Sequence, residues 1–251
     1  MKINYKSNLI ILLLVFACTM SAYSVAPDGD QIVEIIDDTY HSFTGTGIIE
    51  LEIIEDDEVT RIDRLEQFVK NGEQILVRYL KPRQQEGTAY LNTADDENWL
   101  YLPNANRTVR VSSGQSFQGS HLSNDDILNL QLAADYQAEI IGEEIVDDRK
   151  ALVLELTALE ETATYGSLEY TVTAEDYFPL KTVYYAHSGM RLKTTYYSER
   201  ELINDVKWPT RYEFVCDLQD GARTIMTIVE ADYDEDVPDY YFTREFLQRG
   251  N

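Results

Sequence analysis

Apolar and polar residues alternate with a period of two over most of the chain. Leu152, Leu154 and Leu156 share one side of such a run, and Glu155 and Thr157 share the other. Three later runs repeat the alternation: Leu168/Tyr170/Val172, Tyr212/Phe214/Cys216 and Ile225/Thr227/Val229. Because successive side chains of a strand point to opposite sides, this pattern predicts an antiparallel sheet of about ten strands with one dry face.

Three dipeptides lie between such runs and predict hairpin turns. They are Asn71-Gly72, Ser188-Gly189 and Asp220-Gly221, whose residues tolerate a positive φ. No proline- or serine-rich linker interrupts residues 45–235. We therefore expect residues 25–251 to fold as a single domain.

Two segments have helical spacing instead. The first begins at Asp28, which can form a capping box with Gln31. Its apolar face consists of Ile32, Ile35, Ile36, Tyr40 and Phe43.

The second helix is shorter and begins at Ser123, with Asp126 in position for a capping box. Leu122 and Ile127 have the spacing of a hydrophobic staple, and Ile127, Leu128 and 130–132 form a short apolar face. A helix this short is expected to pack against the rest of the protein.

The first 24 residues have the order of a secretory signal peptide. Lys2 and Lys6 precede an unbroken apolar run over residues 9–17, and small residues follow it, which predicts cleavage after Ser24. The alternative is a lipoprotein signal in which Cys18 becomes a lipidated first residue. Either reading predicts export to the periplasm, with a lipid tether in the second case.

The chain is strongly acidic, with a net charge of −24, and loss of the two signal-peptide lysines makes it −26. Such a surface repels nucleic acid and anionic lipid headgroups, so we expect neither as a partner. After processing, Cys216 is the only cysteine, and an intramolecular disulfide is excluded.

Nothing in the sequence indicates catalysis. The three histidines, His41, His121 and His187, are scattered, and no Gly-x-Ser-x-Gly motif surrounds a serine. Acidic runs at 56–58, 95–97 and 232–239 lack calcium-loop spacing and fit solvated turns. We therefore expect no catalytic residue, no metal and no cofactor, and no enzymatic activity.

Residues 82–130 carry a resemblance to a known family. The motifs are Pro82, Gly87-Thr88-Ala89-Tyr90-Leu91, Asn98-Trp99-Leu100-Tyr101-Leu102-Pro103, Arg107-Thr108-Val109-Arg110-Val111, Ser116-Phe117-Gln118-Gly119-Ser120 and Leu122-Ser123-Asn124-Asp125-Asp126-Ile127, and the ending Pro238-Asp239, Phe242-Thr243, Phe246-Leu247 also matches. This order resembles the outer-membrane lipoprotein-sorting protein family, relatives of the LolA and LolB carriers.

The resemblance implies a mainly β fold, a strongly curved antiparallel unclosed β-barrel with helices plugging the concave side. It also implies an apolar cavity for a lipid or lipoprotein acyl chain, and an inner-membrane transporter of the RND or ABC type as partner. The residues expected to line this cavity are Trp99, Tyr101, Phe117, Leu152, Leu154, Leu156, Tyr212 and Phe214. For Trp99, Tyr101 and Phe117 the alternative is that they pack against the helical plug as core residues.

The competing hypothesis is a periplasmic sensor or interaction module that binds a protein partner. Regulators that bind an anti-sigma factor use a similar half-barrel, usually followed by a second domain. Because this chain ends soon after its last predicted strand, the carrier is the favoured interpretation.

Overall fold

The computed structural model describes residues 26–93, 95, 97–129 and 131–249. The predicted signal peptide, the Ser24 cleavage site and Cys18 lie outside these residues, as does Leu130 of the second predicted helix. The described helices are α1 (Gly29–Ile36), continued by a π-helical turn (Asp37–His41), α2 (Asp125–Leu128) and α3 (Arg244–Arg249), with short 3-10 turns at Pro103–Ala105 and Asp239–Phe242. No described helix is long and apolar enough to cross a membrane.

Thirteen strands within the described residues form one sheet. They are β1 (Gly45–Glu55), β2 (Glu58–Lys70), β3 (Gln74–Lys81), β4 (Ala89–Asn92), β5 (Asn98–Leu102), β6 (Arg107–Arg110), β7 (Tyr136–Val146), β8 (Arg149–Ala158), β9 (Ser167–Thr173), β10 (Pro179–Tyr185), β11 (Arg191–Ile203), β12 (Val206–Cys216) and β13 (Arg223–Asp232).

The sheet is antiparallel and unclosed. Its order is β6-β5-β4-β3-β2-β1-β13-β12-β11-β10-β9-β8-β7, so β6 and β7 form the two edges of the described sheet. The predicted mainly β, unclosed architecture is confirmed. The strand number exceeds the expected ten, and β4, β5 and β6, with four or five residues each, are the shortest of the described strands.

Hairpin turns fall where the glycine dipeptides predicted them. Gly72 joins β2 to β3, Gly189 joins β10 to β11 and Gly221 joins β12 to β13, all with positive φ. Three further hairpins turn on acidic or amide pairs in the same left-handed region: Asp56-Asp57, Asp147-Asp148 and Asn204-Asp205. Short Asp and Asn side chains tolerate this conformation, and the first of these pairs belongs to an acidic run that the sequence assigned to a turn.

The prediction that Ile225, Thr227 and Val229 form the buried side of β13 is wrong. Met226 and Ile228 face the inside of the sheet, whereas Val229 is 42% exposed. The pairing of β1 with β13 shifts between Ile48 and Ile49, so that Val229 is bulged out of the ladder. Because both sides of this strand carry apolar residues, its alternation alone did not distinguish them.

Helix α1 begins as predicted. Asp28 and Gln31 form the capping box, in which each side chain accepts a hydrogen bond from the other's backbone N–H. Ile32, Ile36 and Tyr40 are buried as expected, but Ile35 is 41% exposed and Val33 is buried instead. The apolar stripe of α1 is therefore rotated toward Val33.

Two apolar clusters cover the concave side of the sheet. In one, Ile32 and Ile36 of α1 pack on Leu154 and the other inward side chains of β7–β12. In the other, α2 packs on β1–β3 and β13. Phe43 contacts both clusters and therefore bridges the two halves.

A third apolar cluster lies on the convex side. There Phe242 and Leu247 pack on Leu76, Leu91 and Tyr101, which point outward from β3, β4 and β5. Consequently α1 and α2 fill the concave side, and α3 covers part of the outside.

Gly72 provides a test of the β2–β3 turn. A Cβ at Gly72 would lie 1.7 Å from the carbonyl oxygen of His41, whereas a Cβ at Gly189 meets open space. Both glycines have a positive φ, so Gly189→Ala should cost only the left-handed penalty of about 1 to 2 kcal/mol. Gly72→Ala should cost about 4 kcal/mol or more of unfolding free energy in urea titrations. Equal losses would contradict the close contact between this turn and the π-helical turn.

Candidate functional site

A cavity of about 150 Å³ lies between the two concave clusters. Its walls are mostly apolar and aromatic, and include Phe43, Ile49, Ile127, Leu168, Trp208 and Phe214. The sheet supplies one wall, while α2, the segment after it and the π-helical turn supply the other. The cavity therefore lies where the two short helical elements meet over the sheet.

Tyrosines give this apolar wall a polar component. Tyr170, Tyr184, Tyr197 and Tyr212 line the cavity from four neighbouring strands, β9 to β12. Burial raises the pKa of Tyr170, Tyr184 and Tyr212 well above its ordinary value, so these phenols remain neutral. Tyr197 Oη lies 2.9 Å from Oγ1 of Thr182. The lining thus offers broad rings together with neutral hydroxyl groups.

A buried ion pair lies at the α2 side of the cavity. Lys193 of β11 donates from Nζ to Asp126 Oδ2 of α2 and, over 2.6 Å, to Tyr165 Oη. Tyr165 in turn donates to Asp126 Oδ1 over 2.9 Å. Burial lowers the pKa of the Lys193 amine, and the Asp126 carboxylate offsets part of that shift.

Asp126 reaches this position because of the way α2 begins. Its backbone N–H donates to Ser123 Oγ over 3.2 Å, and the Ser123 N–H donates to Asp126 Oδ2 over 2.6 Å. The sequence predicted this reciprocal pair at these two residues, although the helix begins at Asp125 with Asn124 as its N-cap. One carboxylate therefore both holds the turn that precedes α2 and ties α2 to the sheet.

A second polar contact joins the two helical elements. Asp37 accepts hydrogen bonds on Oδ2 from the N–H groups of Leu132 and Ala133, at 2.8 and 2.7 Å. His41 Nδ1 lies 2.7 Å from Asp37 Oδ1. The π-helical turn thereby holds the segment that follows α2.

Asp125 also borders the cavity, beside Asp126. Burial raises the pKa of the Asp125 carboxyl to about 6, and the neighbouring Asp126 charge adds to this, while hydrogen bonds from Thr164 and Asn129 oppose it. A carboxylate at this position is therefore a source of electrostatic strain at neutral pH.

The structure disperses the eight predicted lining residues. Tyr212 and Phe214 line the cavity. Leu152, Leu154 and Leu156 point to the same side of the sheet but lie in the cluster that α1 covers.

Phe117 is fully buried in the α2 cluster, where it packs on the rings of Tyr79 and Tyr90. Trp99 and Tyr101 point to the convex side, away from the cavity. In β5 it is Leu100 that packs with the concave cluster. Trp99 instead lies beneath the guanidinium groups of Arg110 and Arg244, so helix α3 rather than a concave plug covers this strand.

Sequence reasoning missed Lys193, Asp126 and Tyr165 as a group. Lys193 stands in a strand where a charged residue normally marks the wet face, and Asp126 was recognised only as a helix cap. The register of β11 shows on which side of the sheet Lys193 lies. It pairs with Tyr184 and with Cys216, both of which are on the inward side.

The three histidines have separate surroundings: His41 contacts Asp37, His121 contacts Thr224 and Glu55, and His187 contacts the carbonyl oxygen of Ala163. Within the residues that the structure describes, no three His, Cys, Asp or Glu side chains converge as a metal site.

Comparison with known proteins identifies the fold. A family model described as "Uncharacterized protein" matches residues 71–249, and the chain belongs to that family. No curated protein sequence matches the chain.

Three solved structures share its architecture. A LolA superfamily protein from Nitrosomonas europaea is 24% identical with a TM-score of 0.80, covering 88% of this chain and 100% of its own. A DUF1329 family protein from Desulfovibrio piger is 24% identical with a TM-score of 0.76, covering 87% and 97%. A putative outer membrane lipoprotein-sorting protein domain from Vibrio parahaemolyticus is 22% identical with a TM-score of 0.77, covering 88% and 98%. The resemblance to this superfamily is thus confirmed for the fold.

Asp125→Asn tests the electrostatics at the cavity. The folded-state pKa of Asp125 is raised from 3.8 to about 6, so the folded protein binds the proton more tightly, and stability falls as pH rises from about 4 to about 6. Above that range, the neutral amide should stabilise the fold by about 1 to 2 kcal/mol relative to the carboxylate. Urea unfolding of both proteins between pH 4 and 8 should show a difference that grows through this window. A constant difference would contradict the burial of this carboxyl.

Proposed function

We propose that the chain is a periplasmic carrier that holds a lipid or lipoprotein acyl chain in the tyrosine-lined cavity and performs no catalysis. The observation that carries the proposal is an apolar cavity on the concave side of an unclosed sheet, with two short helical elements over it. Transfer of one buried methylene from water is favourable by about 0.8 kcal/mol. A wall of this kind therefore favours an alkyl chain over a polar ligand.

The size of the cavity supports a mechanism in which the helical elements move. A cavity of about 150 Å³ matches the volume of an engineered cavity that accommodates benzene, which is much smaller than a long acyl chain. The contacts at its α2 side include discrete polar ones, from Asp126 to Lys193 and from Asp37 to Leu132 and Ala133. Polar contacts of this kind can break and re-form, and a movement of α2 would disturb the cluster that holds Ile127 and Leu128 but not the α1 cluster.

The net charge of the protein affects the route by which cargo would reach the cavity. A mature charge of −26 disfavours direct contact with an anionic bilayer. We propose that an inner-membrane transporter of the RND or ABC type delivers the cargo through a protein contact. Residues 1–24 would direct export to the periplasm by serving as a signal peptide.

Adjacent residues of β13 supply a matched pair of variants for this proposal. Ile228 lines the cavity, and Val229 points to solvent. A lone carboxylate in an apolar pocket costs several kcal/mol, more than the weak affinity of a reversible carrier can absorb. We expect the wild type to bind a fluorescent fatty acid with roughly micromolar affinity. The Val229→Asp variant should bind it with the same affinity as the wild type, whereas the Ile228→Asp variant should not bind it.

Circular dichroism would establish that Ile228→Asp retains its β structure, and mass spectrometry of protein purified natively from the periplasm would identify co-purified lipid. Absence of binding by delipidated wild-type protein, together with absence of co-purified lipid, would refute the carrier.

A protein-binding role is the second candidate, and the β7 edge favours it. Within the described sheet β7 has a partner on one side only, and Ile140, Ile141 and Ile145 on it are exposed. Exposed edge strands are sites for addition of an extended peptide. Because Glu139, Glu143 and Glu144 lie on the same strand, a peptide that pairs there should be basic.

This candidate predicts that a synthetic peptide of alternating valine and lysine binds the protein, more weakly at high salt. Ile141→Lys/Ile145→Lys should abolish that binding by repulsion, whereas Leu218→Lys, at an exposed apolar residue outside β7, should not. If the β7 variant and the control bind the peptide equally, the edge is not a docking site.

A further inference from the structure

We infer that Asp126 occupies the place of an anionic group of the cargo, so that the carrier selects lipids whose head bears a carboxylate or a phosphate. On loading, that oxyanion replaces Asp126 at Lys193 as α2 moves aside. The inference rests on the proposed carrier function and deepens it by naming the class of cargo.

The position of Lys193 is the first reason. It is 5% exposed and points to the concave side, where it is flanked by Tyr184 of β10 and Cys216 of β12. Its amine also lies 4.6 Å from the ring centroid of Tyr184 and 5.7 Å from that of Phe214, and both of these residues line the cavity. A cation is thus held directly behind a wall that is otherwise suited to an alkyl chain.

The donors around Asp126 are the second reason. Its carboxylate accepts from Lys193 Nζ, from Tyr165 Oη at 2.9 Å and from the Ser123 N–H at 2.6 Å. Burial raises the pKa of Tyr165 well above its ordinary value, so its hydroxyl remains a donor. An ammonium and a phenol that converge on one carboxylate can serve any other oxyanion of similar size.

The third reason is that Asp126 and Lys193 belong to elements that differ in how firmly they are held. Lys193 belongs to β11, paired on both sides within the sheet, whereas Asp126 belongs to a helix of four residues. If α2 moves away, a buried ammonium loses its counter-ion, which is unfavourable unless another anion replaces it. A neutral lipid supplies no such anion, but an anionic lipid does, and the difference in affinity is the predicted selectivity.

The test compares ligands that share one C16 alkyl chain and differ only in the head. Heptadecanoic acid, hexadecyl phosphate and hexadecanol would each compete with a neutral fluorescent alkyl probe. For the wild type we expect the two anions to bind at least about 10-fold more tightly than the alcohol, as is reasonable for one charge-assisted contact. The better of the two anions distinguishes a carboxylate cargo from a phosphate cargo.

Variants assign the preference to Lys193. In Lys193→Met, and in the double variant Lys193→Met/Asp126→Asn that leaves no unpaired charge, the anion-to-alcohol ratio should fall to about 1 or below, because no cation remains to pair with the anionic head. In Asp126→Asn the ratio should rise above that of the wild type, because the anion no longer competes with the internal carboxylate. Lys193→Arg should keep a preference for anions, and Lys181→Met, half-exposed on β10 and paired with Glu169, should match the wild type.

The outcomes separate the two proposals. Equal affinity of the wild type for acid, phosphate and alcohol, or a ratio unchanged in the double variant, overturns the inference and leaves the carrier intact. Failure of all three ligands and the probe to bind refutes the carrier itself.

Discussion

An unclosed sheet has a concave apolar face that must be covered, and this constraint governs the rest of the structure. In a closed barrel, side chains from opposite strands fill the interior; here that role falls to α1, the π-helical turn and α2. These elements are short, and two clusters rather than one continuous core result, bridged by Phe43. The cavity is the remaining gap between the clusters, so it follows from the way the open sheet is covered.

The buried pair of Lys193 and Asp126 is hard to explain as a source of stability. Removing two charges from water costs several kcal/mol per ion, and well-packed apolar side chains often stabilise a fold as well or better. Such a pair does give α2 one defined position, because breaking it leaves both charges unsatisfied. A contact that is specific yet contributes little net stability suits an element that, on the proposed mechanism, is displaced and then returns.

The sequence predicted the sheet, its glycine turns, the capping box of α1 and the hydrogen-bonded pair of Ser123 and Asp126, because these features depend on local spacing. The cavity depends on register and on which face each helix covers, and local spacing does not encode either one. Trp99 and Tyr101, for example, lie on the same side of β5, as residues of a buried face do. The apolar surface on which they pack is nevertheless α3 on the convex side, not the cavity. Likewise, a lysine in a strand is expected to face solvent, and only the pairing of Lys193 with Tyr184 and Cys216 shows that its side chain is on the inward side of the sheet.

The distribution of charge separates the outside of the protein from the cavity. The sequence carries a large excess of carboxylates, which repel anionic membranes and nucleic acid at long range. Near the cavity, in contrast, the concave wall supplies a buried cation, Lys193, and the plug supplies the anion that neutralises it, Asp126. Long-range repulsion by the surface is screened within about 10 Å at 0.1 M salt, whereas a contact at Lys193 is short-ranged and shielded from solvent. On the proposed function, the same molecule would avoid an anionic bilayer and still accept a single anionic lipid that a protein partner delivers at the cavity.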